Sequence, residues 1–439
     1  MRNDRSDREF PVPAGGLGRL LRIGGMTSGI LGGAVSQGVR QMARGTRPNL
    51  QQTLLTPGTA RRVTQDLGRM RGAAMKMGQM LSIDSGIVLP PEMTSILSAL
   101  QSDAPHMPPR QLRTVLDQEW GKGWRGVFNR FDVRPFASAS IGQVHRAQSR
   151  NGHEMAIKVQ YPGVRASIDS DINNLAMLLR VPGVVPRGTD LAPLLEKARQ
   201  QLHQEADYAA EARNLNSFRS LLSENSAFRL PDLHPDRSTP RILAMSFVRS
   251  QPVDALMNAP QDRRDGFVRH LIDLVLKELF VFRLMQTDPN LANYGYCPEH
   301  DAVVLLDFGA VMEIRPDLAR DFRRLLNAGL ENNPVETRAA MERTGYFNAQ
   351  TSPRHQAIIQ TMFETAMAPL RQSDPFDFGT AGLPERLRDI GMALEAERDL
   401  THVPPAETLF LHRKIGGIYL LATKLRARVA LRPIVERYR

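Results

Sequence analysis

Hydrophobic positions in the first quarter of the chain recur at helical spacing. Between residues 50 and 101, apolar side chains return every three or four positions, a period that predicts amphipathic helices. A clear run is Met70, Ala73, Ala74, Met77 and Leu81. Prolines at positions 90 and 91, and again between 105 and 109, are expected to end these helices before a short helix over residues 110–119.

The pattern changes after about residue 126. The stretches VFNRFD, SIGQVHRA and MAIKVQY alternate or are rich in β-formers, and Asn151-Gly152 between the last two predicts a hairpin. Residues 241–248 and 302–309 are predicted to be strands. Helices are predicted over 166–225, with an interruption near 182–193, over 263–286, and throughout the chain after about residue 315.

This order of elements predicts four segments. They are a basic glycine-rich arm over residues 1–48, a helical extension over 49–125, a β-rich lobe with inserted helices over 126–250, and a helical lobe over 251–439. We therefore expect an α+β fold of two lobes with a helical N-terminal extension.

Positive charge is concentrated at the amino-terminal end. The chain has 57 Lys and Arg against 46 Asp and Glu, a formal net charge of +11. Residues 1–72 contain twelve arginines and four acidic residues, so they supply +8 of that charge. The excess lies outside the predicted lobes, aromatic residues are only 6%, and no nucleic-acid-binding motif occurs. Nucleic acid is therefore not expected as a partner. The single cysteine, Cys297, excludes an intramolecular disulfide.

The arm contains seventeen uncharged residues, 23–39, between two arginines. Gly25, Gly29 and Gly33 recur there at a spacing of four, so on a helix they would share one face and allow a second helix to approach closely. The flanking arginines suit anionic lipid headgroups. The segment predicts either a short helix that associates with a membrane or forms a homodimer, or a flexible linker, because glycine is a poor helix former.

Four groups of candidate catalytic residues follow one another along the two predicted lobes. They are Lys158 at a strand end, the helical acids Glu205, Asp207 and Glu211, Asp288 five residues before Asn293, and Asp307-Phe308-Gly309 after an apolar strand. Each signal alone is weak. Their order and spacing match the protein-kinase set of V-A-I-K, a helix glutamate, D-x-x-x-x-N and D-F-G.

Phosphoryl transfer explains why these residue types occur together. Lys158 would contact the α- and β-phosphates of a nucleotide, and a helix carboxylate would hold the lysine in place. Asn293 and Asp307 would bind Mg²⁺, which prefers oxygen ligands. Asp288 would orient or deprotonate the attacking hydroxyl.

Departures from the ordinary kinase pattern indicate a narrower family. The loop before Lys158 lacks the G-x-G-x-x-G pattern, no His-Arg precedes Asp288, and no Ala-Pro-Glu follows Gly309. A motif Lys76-Met77-Gly78-Gln79 lies upstream. With the stretches KMGQMLS, SIGQVHRA, IKVQYPGV, MQTDPN, LLDFGA, PFDFGT and LHRKIGG, the chain resembles the UbiB family of atypical kinases, coenzyme Q branch, from about residue 60 to about residue 430.

The resemblance implies further site residues. Lys76 and Gln79 belong to a helix that lies over the nucleotide pocket in this family, where a peptide would dock in an ordinary protein kinase. The loop Ala137, Ser138, Ala139 and Ser140 replaces the glycine-rich cover of the phosphates and is associated with altered nucleotide preference. Because its middle position is serine rather than alanine, the resemblance leaves the choice between ATP and ADP open.

The acidic helix carries the remaining residues that the resemblance implies. Glu205 and Asp207 match the E-x-D motif of the family, and Glu211 matches the helix partner of Lys158. Asp207 and Glu211 share a helical face at i, i+4, whereas Glu205 points elsewhere and could contact Lys76. Which glutamate pairs with which lysine stays open from the sequence.

The implied function is that of an ATP-binding, Mg²⁺-dependent atypical kinase or ATPase that supports ubiquinone biosynthesis. It would hydrolyse ATP or phosphorylate a small lipid-like molecule. The alternatives are a protein kinase acting in trans and a nucleotide-sensing scaffold of a membrane-bound quinone-biosynthesis complex. The expected partners are a nucleotide, membrane lipid and quinone-biosynthesis proteins. The expected location is cytoplasmic, peripheral on the inner face of the membrane, or the matrix side in a mitochondrion.

Overall fold

The structure is a computed structural model that describes residues 106–179, 192–288, 290–395 and 404–439. Several predictions lie outside these residues. They are the arm over 1–48 with Gly25, Gly29 and Gly33, the extension up to residue 105 with Lys76 and Gln79, and the interruption predicted near 182–193 up to residue 191. The last two residues of that interruption, 192 and 193, are helical.

Helices make up most of the regular structure in the described residues. In chain order they are α1 (Pro109–Trp120), α2 (Val164–Leu179), α3 (Ala192–Glu205), α4 (Tyr208–Leu221), α5 (Gln261–Lys277), α6 (Pro316–Leu330), α7 (Pro334–Arg343), α8 (Pro353–Met367), α9 (Leu383–Glu395), α10 (Ala406–Leu425) and α11 (Arg432–Val435).

The strands are short. In chain order they are β1 (Phe128–Phe131), β2 (Ala137–Ala139), β3 (Gly142–Ser149), β4 (Glu154–Gln160), β5 (Phe228–Arg229), β6 (Ile242–Ser246), β7 (Gln251–Pro252), β8 (Leu284–Gln286), β9 (Tyr294–Cys297), β10 (Ala302–Leu305), β11 (Val311–Glu313), β12 (Phe376–Asp377) and β13 (Arg428–Val429).

The helix predicted over 263–286 is shorter than its hydrophobic pattern suggested. The α-helix α5 gives way to a π-helical turn over Glu278–Phe282, and Arg283 adopts a left-handed conformation with φ of 52°. That conformation ends the helix, and the following residues form β8, which pairs antiparallel with β11. The end of the predicted helix is therefore wrong, because a buried strand and a buried helix can have the same apolar pattern.

The chain divides into two compact units. The described residues of Met1–Arg213 form the first unit together with Asp232–Phe247, and Asn214–Pro231 with Val248–Arg439 forms the second. The predicted domain boundaries at residues 48, 125 and 250 stay predictions.

The first unit is built on an antiparallel sheet of five strands. Its order is β1-β3-β4-β6, with β2 paired to β3. The predicted hairpin is present, because β3 and β4 pair across the turn that contains Asn151 and Gly152. Gly152 has φ of +83°, which favours glycine. The sheet places β4, and with it Lys158, between two neighbouring strands.

Gly142, at the start of β3, allows the sheet and the start of α4 to approach closely. A Cβ atom at this position would lie 2.5 Å from the carbonyl oxygen of Val159 and 2.9 Å from the Tyr208 hydroxyl. Only glycine fits such spacing without displacing the backbone. The glycine of the SIGQ stretch therefore keeps α4 close to the strand that carries Lys158.

The second unit is mainly helical and carries three small sheets. Their strand orders are β5-β10-β9-β7, β11-β8 and β12-β13. The last pair interrupts the region after residue 315 that the pattern predicted as helical throughout. Phe376 and Phe378 are buried there, and the Phe378 ring lies 5.2 Å from that of Tyr419 on α10. These two phenylalanines belong to the core, as the sequence predicted.

Candidate functional site

Lys158 forms a buried ion pair with Glu211. The Nζ atom lies 2.7 Å and 2.9 Å from the two carboxylate oxygens, so it donates to both. The two residues are 7% and 1% exposed. Lys158 also lies 5.2 Å from the centre of the Tyr208 ring, in cation–π range. Of the two glutamates that the sequence left open, Glu205 and Glu211, the structure shows Glu211 paired with Lys158.

The loop before Lys158 is joined to the acidic helix region. Residues Ala137–Ala139 form β2 and pair with β3, and Ser138 is the exposed residue of the three. The Ser140 hydroxyl donates a hydrogen bond to Glu205. Glu205 therefore contacts the loop that the resemblance places over the nucleotide phosphates.

Asp207 lies at the start of α4. Its Oδ1 accepts a hydrogen bond from the backbone N–H of Ala210 at 3.0 Å, which is the geometry of a helix N-cap. A cap stabilises the first turn of the helix that carries Glu211. The sequence also predicted that Asp207 belongs to the nucleotide site, and this role stays a prediction.

The second unit brings Asp288 and Asn293 together. The Asn293 side-chain amide donates to Asp288 Oδ2 at 3.1 Å, and the backbone N–H of Asn290 is 3.3 Å from Asp288 Oδ1. Asp307 Oδ1 accepts from the backbone N–H of Gly309 at 2.9 Å. The D-x-x-x-x-N spacing therefore produces a direct contact between its two defining residues.

The segments before Asp288 and around Asp307 are tied to each other. The Gln286 side-chain amide donates to the carbonyl oxygen of Asp307 at 2.7 Å. The backbone N–H of Thr287 donates to the carbonyl oxygen of Ala310 at 2.9 Å. With the β8–β11 pairing, these bonds hold the D-F-G turn beside the strand that leads into Asp288.

Two residues that the sequence analysis did not single out contact the D-F-G turn. Asn214 donates its side-chain amide to the carbonyl oxygen of Phe308 at 2.9 Å, and the Phe218 ring lies 5.3 Å from the Phe308 ring. Both follow Glu211 on α4, at positions i+3 and i+7. Helical spacing from the predicted glutamate was the signal that could have identified them.

The donor atoms of the second unit suit Mg²⁺. Asp307 offers a carboxylate, and Asn293 offers an amide oxygen because its nitrogen is engaged with Asp288. Within the described ranges, no cluster of three or more His, Cys, Asp or Glu could hold a metal ion. Mg²⁺ needs no such cluster, since it takes one or two carboxylates and completes its shell with water and phosphate oxygens. The residues therefore fit the ion.

A buried polar chain runs through the SIGQVH stretch. His145 Nδ1 donates to the Asp132 carbonyl oxygen at 2.8 Å, so Nε2 accepts from the Gln143 side-chain amide, also at 2.8 Å. Gln143 Oε1 accepts from the backbone N–H of Met107 at 2.8 Å. This chain uses both ring nitrogens of His145 in the neutral form, which indicates a structural role.

His145 should make the unfolding free energy depend on pH. Burial lowers its pKa from 6.5 to about 4, so the unfolded state takes up the proton first. The stability that neutral His145 contributes is complete above pH 6.5 and is lost as the pH falls towards 4. The loss should approach ~1.4 kcal/mol per pH unit. Urea unfolding between pH 7 and 4.5 measures it.

Two variants check the origin of that slope. His145→Gln should reduce the slope of the unfolding free energy against pH, because one titrating group is gone. Part of the slope should remain, since burial also lowers the pKa of His270 and His412. His153→Gln, at an exposed position beside the β3–β4 turn, should keep the wild-type slope. An unchanged slope in His145→Gln would assign the pH dependence to another group.

Each unit thus contains part of the predicted set of catalytic and nucleotide-binding residues. The ion pair Lys158–Glu211 and the Ala137–Ser140 loop belong to the first unit, and Asp288, Asn293 and Asp307 belong to the second. The combination of a strand lysine held by a helix glutamate, a D-x-x-x-x-N contact and a D-F-G turn defines the protein-kinase-like class.

Comparisons with known proteins agree with that class. A sequence profile for the ABC1 atypical kinase-like domain matches residues 99–340. The mitochondrial atypical kinase COQ8 of Saccharomyces cerevisiae is 36% identical over 423 residues, 95% of this chain and 83% of that protein. The mitochondrial atypical kinase COQ8B of Rattus norvegicus is 34% identical over 440 residues, 99% of this chain and 82% of that protein.

The solved structure of an Rv3197–erythromycin complex from Mycobacterium tuberculosis shares the fold. It covers 87% of this chain and 95% of its own, with a TM-score of 0.59 at 24% identity. The α+β, kinase-like fold predicted from the sequence is confirmed.

The chain belongs to the ABC1 family of atypical kinases. The predicted membership in the coenzyme Q branch of the UbiB family is confirmed, and so is the prediction of an enzyme of the atypical-kinase class. A kinase-like domain of this kind is a nucleotide-binding domain. Among the residues that the structure describes, no helix is long and apolar enough to cross a membrane.

Proposed function

We propose that this atypical kinase supports ubiquinone biosynthesis by Mg²⁺-dependent ATP hydrolysis or by phosphorylation of a small lipid-like molecule. The observation that carries the proposal is the buried ion pair between Lys158 and Glu211, with both carboxylate oxygens within 2.9 Å of Nζ. Removing two charges from water is costly, so a buried pair that is kept in the fold favours a functional role over a purely stabilising one. A fixed ammonium is what the α- and β-phosphates require.

Each of the predicted site residues has its own role. Lys158, held by Glu211, binds the α- and β-phosphates, and the Ala137–Ser140 loop covers them. Asn293 and Asp307 would hold Mg²⁺, which would supply positive charge to the phosphate groups. Asp288 accepts a proton from, or orients, the attacking water or hydroxyl. The nucleotide is ATP, with ADP as the alternative.

A small acceptor is favoured over a protein for a steric reason. In the family that the sequence resembles, the helix with Lys76 and Gln79 lies where a peptide substrate would dock. The scaffold alternative is less favoured, because nucleotide sensing does not require Asp288. Its contact with Asn293 at 3.1 Å keeps this carboxylate oriented, as a residue that handles a proton must be.

The finer location is part of the proposal. The Arg-rich arm with Gly25, Gly29 and Gly33 suits an anionic membrane surface, which would be the inner face of the bacterial membrane or the matrix side in a mitochondrion. Quinone-biosynthesis proteins on the same surface would then be the partners. Flotation with cardiolipin-containing liposomes tests the idea, and equal flotation without residues 1–45 would contradict it.

The test of the activity is ATP turnover with Mg²⁺, measured with and without liposomes and with and without a phenolic quinone-precursor mimic. Turnover should rise with lipid or the mimic and should vanish in Asp307→Asn. Phosphate on the mimic would identify a small-molecule kinase, whereas free phosphate alone would identify an ATPase. Wild-type turnover in Asp307→Asn would contradict the proposal, and nucleotide binding without any turnover would favour the scaffold.

A further inference from the structure

A second lysine–glutamate pair is buried in the second unit. Lys414 on α10 contacts Glu278 through Nζ and Oε2. The residues are 2% and 0% exposed, so the pair is as deeply buried as Lys158 and Glu211. Neither residue belongs to the predicted catalytic set. Removing these two charges from water is costly, so the role of the pair has to be sought in its contacts with the surrounding structure.

The pair joins the carboxy-terminal region to the end of α5. Helix α10 packs against α5, and Glu278 is the first residue of the π-helical turn Glu278–Phe282. Glu278 Oε1 has no hydrogen-bond partner among the described residues, so Lys414 supplies the strong contact to this carboxylate. Single turns of π-helix inside α-helices are frequently found at functional sites.

Glu278 also contacts the segment that leads to Asp288. The turn that Glu278 begins packs against β8, and the backbone N–H of Gln286 at the end of β8 faces the Glu278 carboxylate and opposes the rise of its pKa. The Gln286 side chain donates to the carbonyl oxygen of Asp307 at 2.7 Å. Gln286 lies two residues before Asp288. One unbroken series of contacts therefore runs from Lys414 through Glu278 and Gln286 to both aspartate segments.

The electrostatics explain why the lysine is needed. Burial raises the pKa of Glu278, and the Lys414 ammonium opposes that rise. Burial lowers the pKa of Lys414, and Glu278 opposes that fall. Each charge thus depends on the other. Without Lys414, burial would favour the protonated form of Glu278, and the negative charge beside the Gln286 N–H would be lost.

We propose that Lys414 and Glu278 are positioning residues for phosphoryl transfer, holding the segment from Gln286 to Asp288 and the carbonyl of Asp307 in their active arrangement. The inference rests on the proposed function of Asp288. The pair contacts neither nucleotide nor acceptor, so it acts through Gln286. Its loss should lower kcat and leave nucleotide affinity nearly unchanged.

Three variants test the proposal. Lys414→Met leaves Glu278 buried and unpaired, and kcat for Mg²⁺-ATP turnover should fall at least tenfold while the nucleotide Kd changes less than threefold. Glu278→Gln combined with Lys414→Met removes both charges, so it should regain thermal stability but keep kcat at least threefold below wild type. Leu421→Ala, a fully buried position on the same helix, is the control for lost stability and should keep kcat within twofold.

The outcomes separate this proposal from the one it rests on. Wild-type kcat in the charge-free double variant, or in Lys414→Met, would overturn the positioning role. If Lys414→Met does not fold, the double variant decides, because it contains no uncompensated charge. If Leu421→Ala lowers kcat as much as Lys414→Met does for the same loss of stability, the Lys414–Glu278 pair has only a structural role. Turnover unaffected by Asp288→Asn would instead remove the proposed function itself.

Discussion

Replacing Asp288 by asparagine should lower kcat by about a thousandfold, within the roughly 10²–10⁴ range for loss of a general base. Asparagine keeps the shape of the side chain, and its one oxygen can still accept from Asn293, which now donates to Asp288 Oδ2 at 3.1 Å. It cannot accept a proton. Nucleotide affinity should therefore stay within about threefold. Steady-state Mg²⁺-ATP turnover and calorimetric nucleotide titration measure the two quantities.

The matched control is the same substitution at an unrelated carboxylate of the second unit. Asp317 lies in the first turn of α6 and is 3.5 Å from Arg315 at the surface. Asp317→Asn should leave kcat unchanged, because exposed ion pairs contribute little. Equal activity of Asp288→Asn and Asp317→Asn would mean that Asp288 has no chemical role.

The largest expected effect on stability is that of Lys158→Met. Its partner Glu211 has a side chain only 2% exposed, so the variant removes the ammonium that lies beside a buried carboxylate. Breaking a buried pair on one side costs about 3–5 kcal/mol. The unfolding free energy in urea should fall by that order, and nucleotide binding should be lost together with the ammonium that contacts the phosphates.

The double variant Lys158→Met with Glu211→Gln separates the two effects. Without an unpaired charge, it should recover most of the unfolding free energy, yet it should still fail to bind nucleotide. Lys122→Met, an exposed lysine of the same unit, should change neither quantity. Restored nucleotide binding in the double variant would show that Lys158 is a stability residue alone.

Local signals explain why much of the architecture was predictable. Asn151-Gly152 determines a tight turn through backbone preferences of its own two residues, so the β3–β4 hairpin followed directly. The strand-end position of Lys158 and the five-residue step from Asp288 to Asn293 are also local. By contrast, the pattern over 263–286 was interpreted as one helix, because periodicity does not reveal a left-handed residue such as Arg283.

The amino-acid order alone therefore specified the class of protein, the sequence of its chemical groups, and the family. The choice among partners required the tertiary structure. The sequence matched Glu211 to the partner of Lys158 but left the pairing of the glutamates open, and the fold brings Lys158 and Glu211, 53 positions apart, into contact. The Lys414–Glu278 pair joins residues 136 positions apart. Lys414 lies in the LHRKIGG stretch, but nothing in the sequence pairs it with Glu278. Whether two distant charged residues form a buried ion pair depends on the tertiary structure. Only the folded chain removes the water that would otherwise solvate each charge separately.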